Sequence, residues 1–180
     1  MRKVLALATL ASFLGSPAHA ALKPGEHAPP FATQAALGGK VFEFSLADAL
    51  RQGPVVVYFY PEAFTSGCTV EAHEFASAAA DFAAVHTTVI GVSHDGIDKL
   101  KKFSVSECGS KFAVGADENQ KIMKAYDAVL RADPTYADRT SYVIAPSGEI
   151  LDVYTNMDHP REHVAHTLAA ARRWAAAHPR

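Results

Sequence analysis

The sequence contains few cysteines and no large excess of charge of either sign. Its 180 residues include two cysteines, one tryptophan, 17 basic and 19 acidic side chains, which give a net charge of −2. Exported proteins that depend on disulfides for stability usually carry more cysteines, so this fold does not need its two. The lack of basic blocks gives no support for binding to nucleic acid or to a membrane surface. Cys68 and Cys108 are therefore candidates for chemistry.

Hydrophobic runs long enough to cross a membrane are also absent from the sequence. The apolar run at residues 4–14 follows two basic residues and precedes the triplet Ala18-His19-Ala20. A transmembrane helix needs roughly 20 apolar residues, so this run is too short. The order of basic, apolar and small residues is typical of a secretory signal peptide. The alternative, an ordinary core helix, is disfavoured because the run is not amphipathic. We expect residues 1–20 to be a signal peptide and residues 21–180 one exported domain, periplasmic in a Gram-negative bacterium.

The rest of the chain alternates between strand and helix patterns. The segments "PVVVYFY" and "TTVIGVS" are continuous apolar runs rich in β-branched residues, which is typical of strands covered on both faces. Hairpins are predicted around Gly38-Gly39 and around Pro146-Ser147-Gly148, and a closing helix begins near Pro160. A parallel βαβ half followed by an antiparallel half predicts an α/β fold, with a mixed central sheet and helices on both faces. This is the arrangement of a thioredoxin-like fold with an N-terminal β-hairpin extension.

Two helices are predicted in the middle of the chain. Apolar residues after Cys68 recur at helical spacing and predict one continuous amphipathic helix that includes Phe75, Ala78, Ala79, Phe82 and Val85. The next helix is expected to end at Gly109. One face of this helix is made of Ile97, Leu100, Ser104 and Cys108. Cys108 is thus predicted to lie in the last turn of a helix.

Cys68 lies where a predicted strand turns into a predicted helix, in "YFYPEAFTSGCTVEAHEF". The unpaired N–H groups and the dipole of a helix start favour an anion, and the nucleophilic form of cysteine is the thiolate. Thr65 precedes Cys68 by three residues and can either cap the helix or hydrogen-bond the sulfur or its substrate. Pro61 would stiffen the loop. A small buried hydrophobe is the alternative role for Cys68, and its location alone leaves both open.

The pattern Pro61-x-x-x-Thr65-x-x-Cys68 matches the active-site signature of the peroxiredoxins. The stretch around it resembles the Q-type branch, which is bacterioferritin-comigratory-protein-like and part of the AhpC/TSA superfamily. Similar segments include "LKPGEHAPPF", "IGVSHD" and "DRTSYVIAPSGEI". The resemblance implies a thiol-dependent peroxidase that reduces hydrogen peroxide and organic hydroperoxides without a cofactor. It also implies a monomer or homodimer and a thiol electron donor, either a thioredoxin-like protein or the glutaredoxin/glutathione system.

The resemblance also implies a role for each site residue. Cys68 would attack the peroxide and become a sulfenic acid, while Thr65 and Arg139 bind and polarise the O–O bond. Pro61 would shield the site, and Glu71 would hold Arg139 in place. The alternatives are that Arg139 is a surface residue at the start of a strand and that Glu71 lies on a solvated helix face.

The sequence offers more than one candidate for the residue that regenerates Cys68. Many Q-type members carry a resolving cysteine five residues after the peroxidatic one, and this chain has His73 there. Another version of the family places the resolving cysteine in the next helix, which makes Cys108 the candidate. Our hypothesis is an intramolecular Cys68–Cys108 disulfide. The alternatives are an inert Cys108 or a disulfide between subunits.

Two other functions can be weighed against the peroxidase. A thioredoxin-type thiol–disulfide oxidoreductase is disfavoured because the chain has no Cys-x-x-Cys motif. A metal-binding module is suggested by the helical spacing of His159, His163 and His166. No carboxylate or cysteine cluster accompanies these histidines, so we expect no metal and a solvated helix face instead.

Overall fold

The computed structural model describes residues 21–179, and the predicted signal peptide therefore lies outside the described residues. These residues build a seven-stranded mixed sheet in the order β2-β1-β5-β4-β3-β6-β7. The strands are β1 (Ala32–Leu37), β2 (Lys40–Ser45), β3 (Val55–Phe59), β4 (Thr88–Ser93), β5 (Ala113–Ala116), β6 (Thr140–Ile144) and β7 (Ile150–Thr155). Six helices pack on the sheet: α1 (Leu46–Leu50), α2 (Ser66–Ser77), α3 (Ala79–Ala84), α4 (Ile97–Ser106), α5 (Lys121–Ala125) and α6 (Pro160–Ala177).

Strand β3 is the centre of the molecule because its side chains serve two separate cores. Val56 and Tyr58 lie in the core formed with α2, α3, α4 and α6, whereas Val55, Val57 and Phe59 lie in the core formed with α1 and α5. The strand pairs in parallel with β4 and antiparallel with β6. The predicted mixed sheet with helices on both faces is confirmed, as are both hairpins. No helix within residues 21–179 is both long and apolar enough to cross a membrane.

The helix after Cys68 differs from the prediction because it is broken in two at Ala78. This residue has φ −88° and ψ 1°, which ends α2 before α3 begins. The Ser77 hydroxyl donates a hydrogen bond of 2.8 Å to the His73 carbonyl one turn back, and such back-bonding bends helices. The break still lets Phe75 and Phe82 pack together, with ring centroids 5.9 Å apart. The helical spacing of apolar residues therefore continues across the break, so the spacing alone could not predict it.

The position of Cys108 also differs from the prediction. Helix α4 ends at Ser106 with Glu107 as its C-cap, so Cys108 lies just beyond the helix rather than in its last turn. Gly109 and Ser110 follow with φ of 54° and 58°, which reverses the chain toward β5. Cys108 is nonetheless fully buried. The buried face predicted for the helix therefore continues into the residues that follow α4.

Candidate active site

The carboxyl end of β3 delivers the chain to a short loop and then to the first turn of α2. Tyr60 still pairs with the sheet, since its N–H donates to the Val92 carbonyl at 3.2 Å. Helix α2 begins at Ser66, which places Cys68 in its first turn, where backbone N–H groups have no intrahelical acceptors. Cys68 is only 2% exposed. Its sulfur is therefore held at a positive helix end and mostly shielded from water.

The loop before α2 is fastened to the start of α4 by a charged group of residues. The Asp95 carboxylate accepts a 2.7 Å hydrogen bond from the Ala63 N–H and one of 2.8 Å from the Ser93 hydroxyl. Lys99 bridges this carboxylate and Glu62, with both N–O distances at 2.7 Å. Because Asp95 is almost fully buried, the loop conformation is set by the β4–α4 connection.

Pro61 is held from the same connection. Its carbonyl lies 3.0 Å from His94 Nδ1. A carbonyl can only accept, so Nδ1 carries the proton and His94 is the donor. The ring of His94 meets Tyr136 edge-on, with centroids 4.7 Å apart. Pro61 therefore has an orienting contact in addition to its own ring constraint.

Thr65 is placed at the mouth of the site. It is the N-cap of α2 by position, but its hydroxyl donates to the Glu62 carbonyl at 2.9 Å. Within residues 21–179, no side chain caps the start of α2, which leaves its first-turn N–H groups directed at the site. The preceding Phe64 has φ 70° and is 45% exposed, a conformation that costs a bulky residue about 1–2 kcal/mol.

Arg139 reaches the cysteine from the residue just before β6. Its Nη2 lies 3.6 Å from the Cys68 sulfur, and its Nε donates to the Met157 carbonyl at 3.2 Å. Gly67 makes this approach possible, because a Cβ at that position would lie 2.9 Å from Nη2. Arg139 is 3% exposed, so its charge acts on the sulfur with little screening by solvent.

Glu71 lies one turn along α2 and is also buried. Its Oε2 accepts a hydrogen bond from Arg139 Nη1. Burial raises the pKa of the Glu71 carboxyl to about 8, although the Arg139 charge acts in the opposite direction. Glu71 thus holds one nitrogen of the guanidinium while the other faces Cys68.

Cys108 is buried away from solvent beyond α4. Both cysteines are free thiols. Burial, and next the Glu107 charge, raise the pKa of the Cys108 thiol far above its ordinary value. Glu107 also pairs with His73 of α2, with Nε2 and Oε2 3.0 Å apart. In this conformation Cys108 is neither ionised nor accessible, so any reaction with Cys68 requires local opening.

An aromatic stack connects α2 to α4 in the core cluster that also contains both cysteines. Tyr58 stacks on Phe75 of α2 at a centroid distance of 4.4 Å, and Tyr60 stacks on Phe103 of α4 at 5.6 Å. The two tyrosine rings lie 5.5 Å apart. Local opening of the segment around Cys108 would therefore occur next to a packed layer of aromatic rings.

His159, the N-cap of α6, and His163 and His166 within the helix do not share one solvated face, and that prediction is wrong for His163. His159 and His166 are exposed, but His163 is completely buried. Its Nδ1 lies 2.8 Å from the Ser141 hydroxyl, and its Nε2 lies 3.0 Å from the Asn156 carbonyl. Among residues 21–179, no group of three metal-binding side chains is placed to hold an ion.

The AhpC/TSA family pattern matches residues 24–153, a region that includes Cys68, Cys108 and Arg139. The chain belongs to the AhpC/TSA family. The chloroplastic peroxiredoxin Q of Populus jackii is 32% identical to this chain over 141 residues, covering 78% of this chain and 64% of the relative. Chloroplastic peroxiredoxin Q of Sedum lineare is 32% identical over 144 residues, with 80% and 75% covered.

A solved structure shows the same fold. Peroxidoxin BcpB from Mycobacterium tuberculosis matches this peroxiredoxin with a TM-score of 0.77 and 28% identity, covering 84% of this chain and 97% of that one. The predicted Q-type family and thioredoxin-like fold are both confirmed.

Three contributors to the site were missed by sequence reasoning: Asp95 and His163 are buried, and Gly67 is half-buried. Gly67 gives no pattern in a single sequence, because the space it leaves is filled by a distant arginine. Asp95 belongs to the "IGVSHD" segment that carries part of the family resemblance, and this resemblance could have marked it as a site residue. His163 was grouped with exposed histidines, although its spacing from the apolar Ala170 and Ala171, two turns along α6, could have placed it near the core.

Proposed function

We propose that this peroxiredoxin reduces hydrogen peroxide and small organic hydroperoxides with thiol electrons, and that Cys68 is the nucleophile. The observation that carries the proposal is the 3.6 Å approach of Arg139 Nη2 to the Cys68 sulfur at an uncapped helix start. A guanidinium and helix N–H groups both stabilise a thiolate and can bind the oxygens of a peroxide. Thr65 and Pro61 complete the mouth of the site.

In the reaction we propose, the Cys68 thiolate attacks the terminal oxygen of the peroxide. An S–O bond forms, the O–O bond breaks, and the leaving oxygen takes a proton to become water or an alcohol. Arg139 and the first-turn N–H groups of α2 face the oxygens on which negative charge develops. Cys68 is oxidised to a sulfenic acid, and the peroxide is reduced.

Cys108 is proposed to resolve the sulfenic acid by an intramolecular disulfide. Its thiol attacks the Cys68 sulfur, an S–S bond forms, and water leaves. Because Cys108 is buried beyond the end of α4, this step follows opening of the segment around Glu107 and Gly109. A thiol donor then reduces the disulfide and returns both cysteines to thiols.

The cellular setting is proposed from the first 20 residues. Their signal-peptide pattern supports export, to the periplasm in a Gram-negative bacterium, so the donor must be a thioredoxin-like protein or glutathione-linked system of that compartment. We propose a monomer or homodimer. Fractionation of cells that express the full chain, with N-terminal sequencing of the product, should find a mature protein that begins at Ala21 outside the cytoplasm. A cytoplasmic product with residues 1–20 intact would contradict export.

Peptide mass spectrometry tests the chemistry directly. The reduced protein is treated with an equimolar amount of hydrogen peroxide, beside the variants Cys68→Ser and Cys108→Ser. We expect a Cys68–Cys108 cross-linked peptide in the unsubstituted protein, a trapped Cys68 sulfenic acid in Cys108→Ser and no oxidation in Cys68→Ser. An unmodified Cys68 in the unsubstituted protein would reject the peroxidase proposal. A sulfenic acid without any cross-link would reject only the role of Cys108.

A further inference from the structure

A buried histidine lies behind the Arg139–Glu71 pair, in α6. The Asn156 carbonyl, 3.0 Å from His163 Nε2, can only accept a hydrogen bond, so Nε2 carries the ring proton. Nδ1 of the neutral ring then carries no hydrogen and has one lone pair, which accepts from the Ser141 hydroxyl at 2.8 Å; the same atom lies 3.7 Å from Glu71 Oε1. The histidine therefore offers no proton to the glutamate.

Glu71 has one carboxyl oxygen paired and one unpaired. Oε2 is taken by Arg139, whereas Oε1 is fully buried and has no hydrogen-bond partner among the described residues. A buried ionised oxygen without a partner is unfavourable, so the neutral carboxyl is the favoured form. His163 Nδ1, 3.7 Å away, has no hydrogen to donate to an ionised Oε1, because its lone pair accepts from Ser141 and the ring proton is on Nε2.

The charges of the site favour the same proton placement. Arg139 supplies one positive charge, while a Cys68 thiolate and an ionised Glu71 would together supply two negative charges in a buried space. Burial lowers the pKa of His163 to about 4, so the ring is neutral and does not offset the excess. A protonated Glu71 leaves one positive charge for one thiolate.

We propose that His163 is a positioning residue of the peroxide site, which keeps Glu71 protonated by offering it no hydrogen at Nδ1, so that the full charge of Arg139 acts on the Cys68 sulfur. The inference rests on the proposed peroxidase function. Loss of the Glu71 proton would place a carboxylate in competition with the thiolate for the same guanidinium. Peroxide reduction should therefore slow as Glu71 ionises.

The groups that face His163 come from every element packed around it. Those on neighbouring elements are Glu71 of α2, Arg139 and Ser141 at β6, and Tyr154 of β7, whose ring meets the imidazole edge-on at 4.8 Å. Those on α6 itself are Glu162 and His166, which are exposed. The buried charged groups in this set are Glu71 and Arg139, so the titration of the site depends mainly on them.

The test is the rate of Cys68 oxidation by hydrogen peroxide across pH, measured by stopped flow from about pH 5 to pH 10. The unsubstituted protein should lose activity above about pH 8, where Glu71 ionises. Glu71→Gln, a neutral isostere, should abolish this falling limb. His163→Gln keeps an N–H for the Asn156 carbonyl and adds a second N–H that can partner an ionised Glu71, so it should shift the falling limb downward by about one pH unit.

The matched control is His166→Gln, which removes an exposed histidine of the same helix and should leave the profile unchanged. A His163→Gln profile that is only scaled, with its limbs at the original pH, would overturn the inference and assign His163 a purely structural role. A falling limb that persists in Glu71→Gln would also overturn it. If the unsubstituted protein does not oxidise Cys68 at any pH, the peroxidase proposal fails instead.

Infrared difference spectroscopy tests the inference without relying on a buried substitution in α6. The reduced unsubstituted protein should show the carbonyl stretch of a protonated carboxylic acid at neutral pH, lost at high pH and absent from Glu71→Gln. A carboxylate band that is already fully developed for Glu71 at neutral pH would overturn the proposal.

Discussion

Gly67 shows how much of the site depends on a single missing methyl group. Gly67→Ala would place a Cβ 2.9 Å from Arg139 Nη2 and push the guanidinium away from Cys68. Alanine is the better helix former by about 1 kcal/mol, which offsets part of the cost of displacing the buried guanidinium, so thermal stability should change little. We expect the rate of peroxide reduction to fall by about tenfold or more, because the charge next to the sulfur is displaced.

The control for this prediction is Gly96→Ala at the start of α4. Its Cβ would meet Glu118 at 3.5 Å, an ordinary contact, so activity should be retained. Stopped-flow peroxide kinetics and thermal melts of both variants decide the point. Full activity in Gly67→Ala would show that the position of Arg139 does not limit the reaction.

At the scale of elements, α2 contacts the end of α4 directly beside Cys108. His73 of α2 pairs with Glu107, the residue directly before Cys108, although the histidine is 56% exposed. A pair of this kind contributes no more than about 1 kcal/mol, which corresponds to a factor of about five. His73→Ala should therefore speed Cys68–Cys108 disulfide formation up to about fivefold without changing the first oxidation step.

The matched control is Lys101→Ala, which removes a pair with Asp98 inside α4 and links no second element. Quenched-flow alkylation followed by mass analysis measures the disulfide rate in each protein. An unchanged rate in His73→Ala would mean that opening of the Cys108 segment is limited elsewhere, for example by the aromatic stack.

At the scale of the whole molecule, the buried His163 makes the free energy of unfolding depend on pH. Burial lowers its pKa from 6.5 to about 4, so the unfolded chain binds a proton that the folded protein does not. The stability that neutral His163 contributes is therefore present above the unfolded pKa and is lost as pH falls toward the folded one. The loss over this window is on the order of 3 kcal/mol.

Urea unfolding of the unsubstituted protein and of His163→Gln checks this expectation. The free energy of unfolding of the unsubstituted protein should fall relative to the variant between about pH 6.5 and pH 4. Both proteins retain Glu71, so its own titration largely cancels from the difference. A difference that does not change with pH would show that His163 is solvated in the native state.

Much of the fold could be predicted from local sequence. The buried run of β3, the turn residues of both hairpins and Pro160 at the start of α6 each determine their element through nearby chemistry. The break at Ala78 could not be predicted in this way, because apolar spacing continues across it. Cys108 was misplaced for a related reason, since its burial follows the helix face even though α4 has already ended.

The sequence by itself determined the family, the position of Cys68 at a helix start and the elements that carry the candidate residues, because these depend on short-range pattern. Only the tertiary structure decided which groups meet. Arg139 lies 71 positions from Cys68 along the chain, yet its Nη2 is 3.6 Å from the sulfur, in space left by Gly67. The burial of Glu71 and His163 likewise comes from packing α2 and α6 on the sheet. Their protonation depends on solvent exclusion and on distant charges, which no local pattern contains.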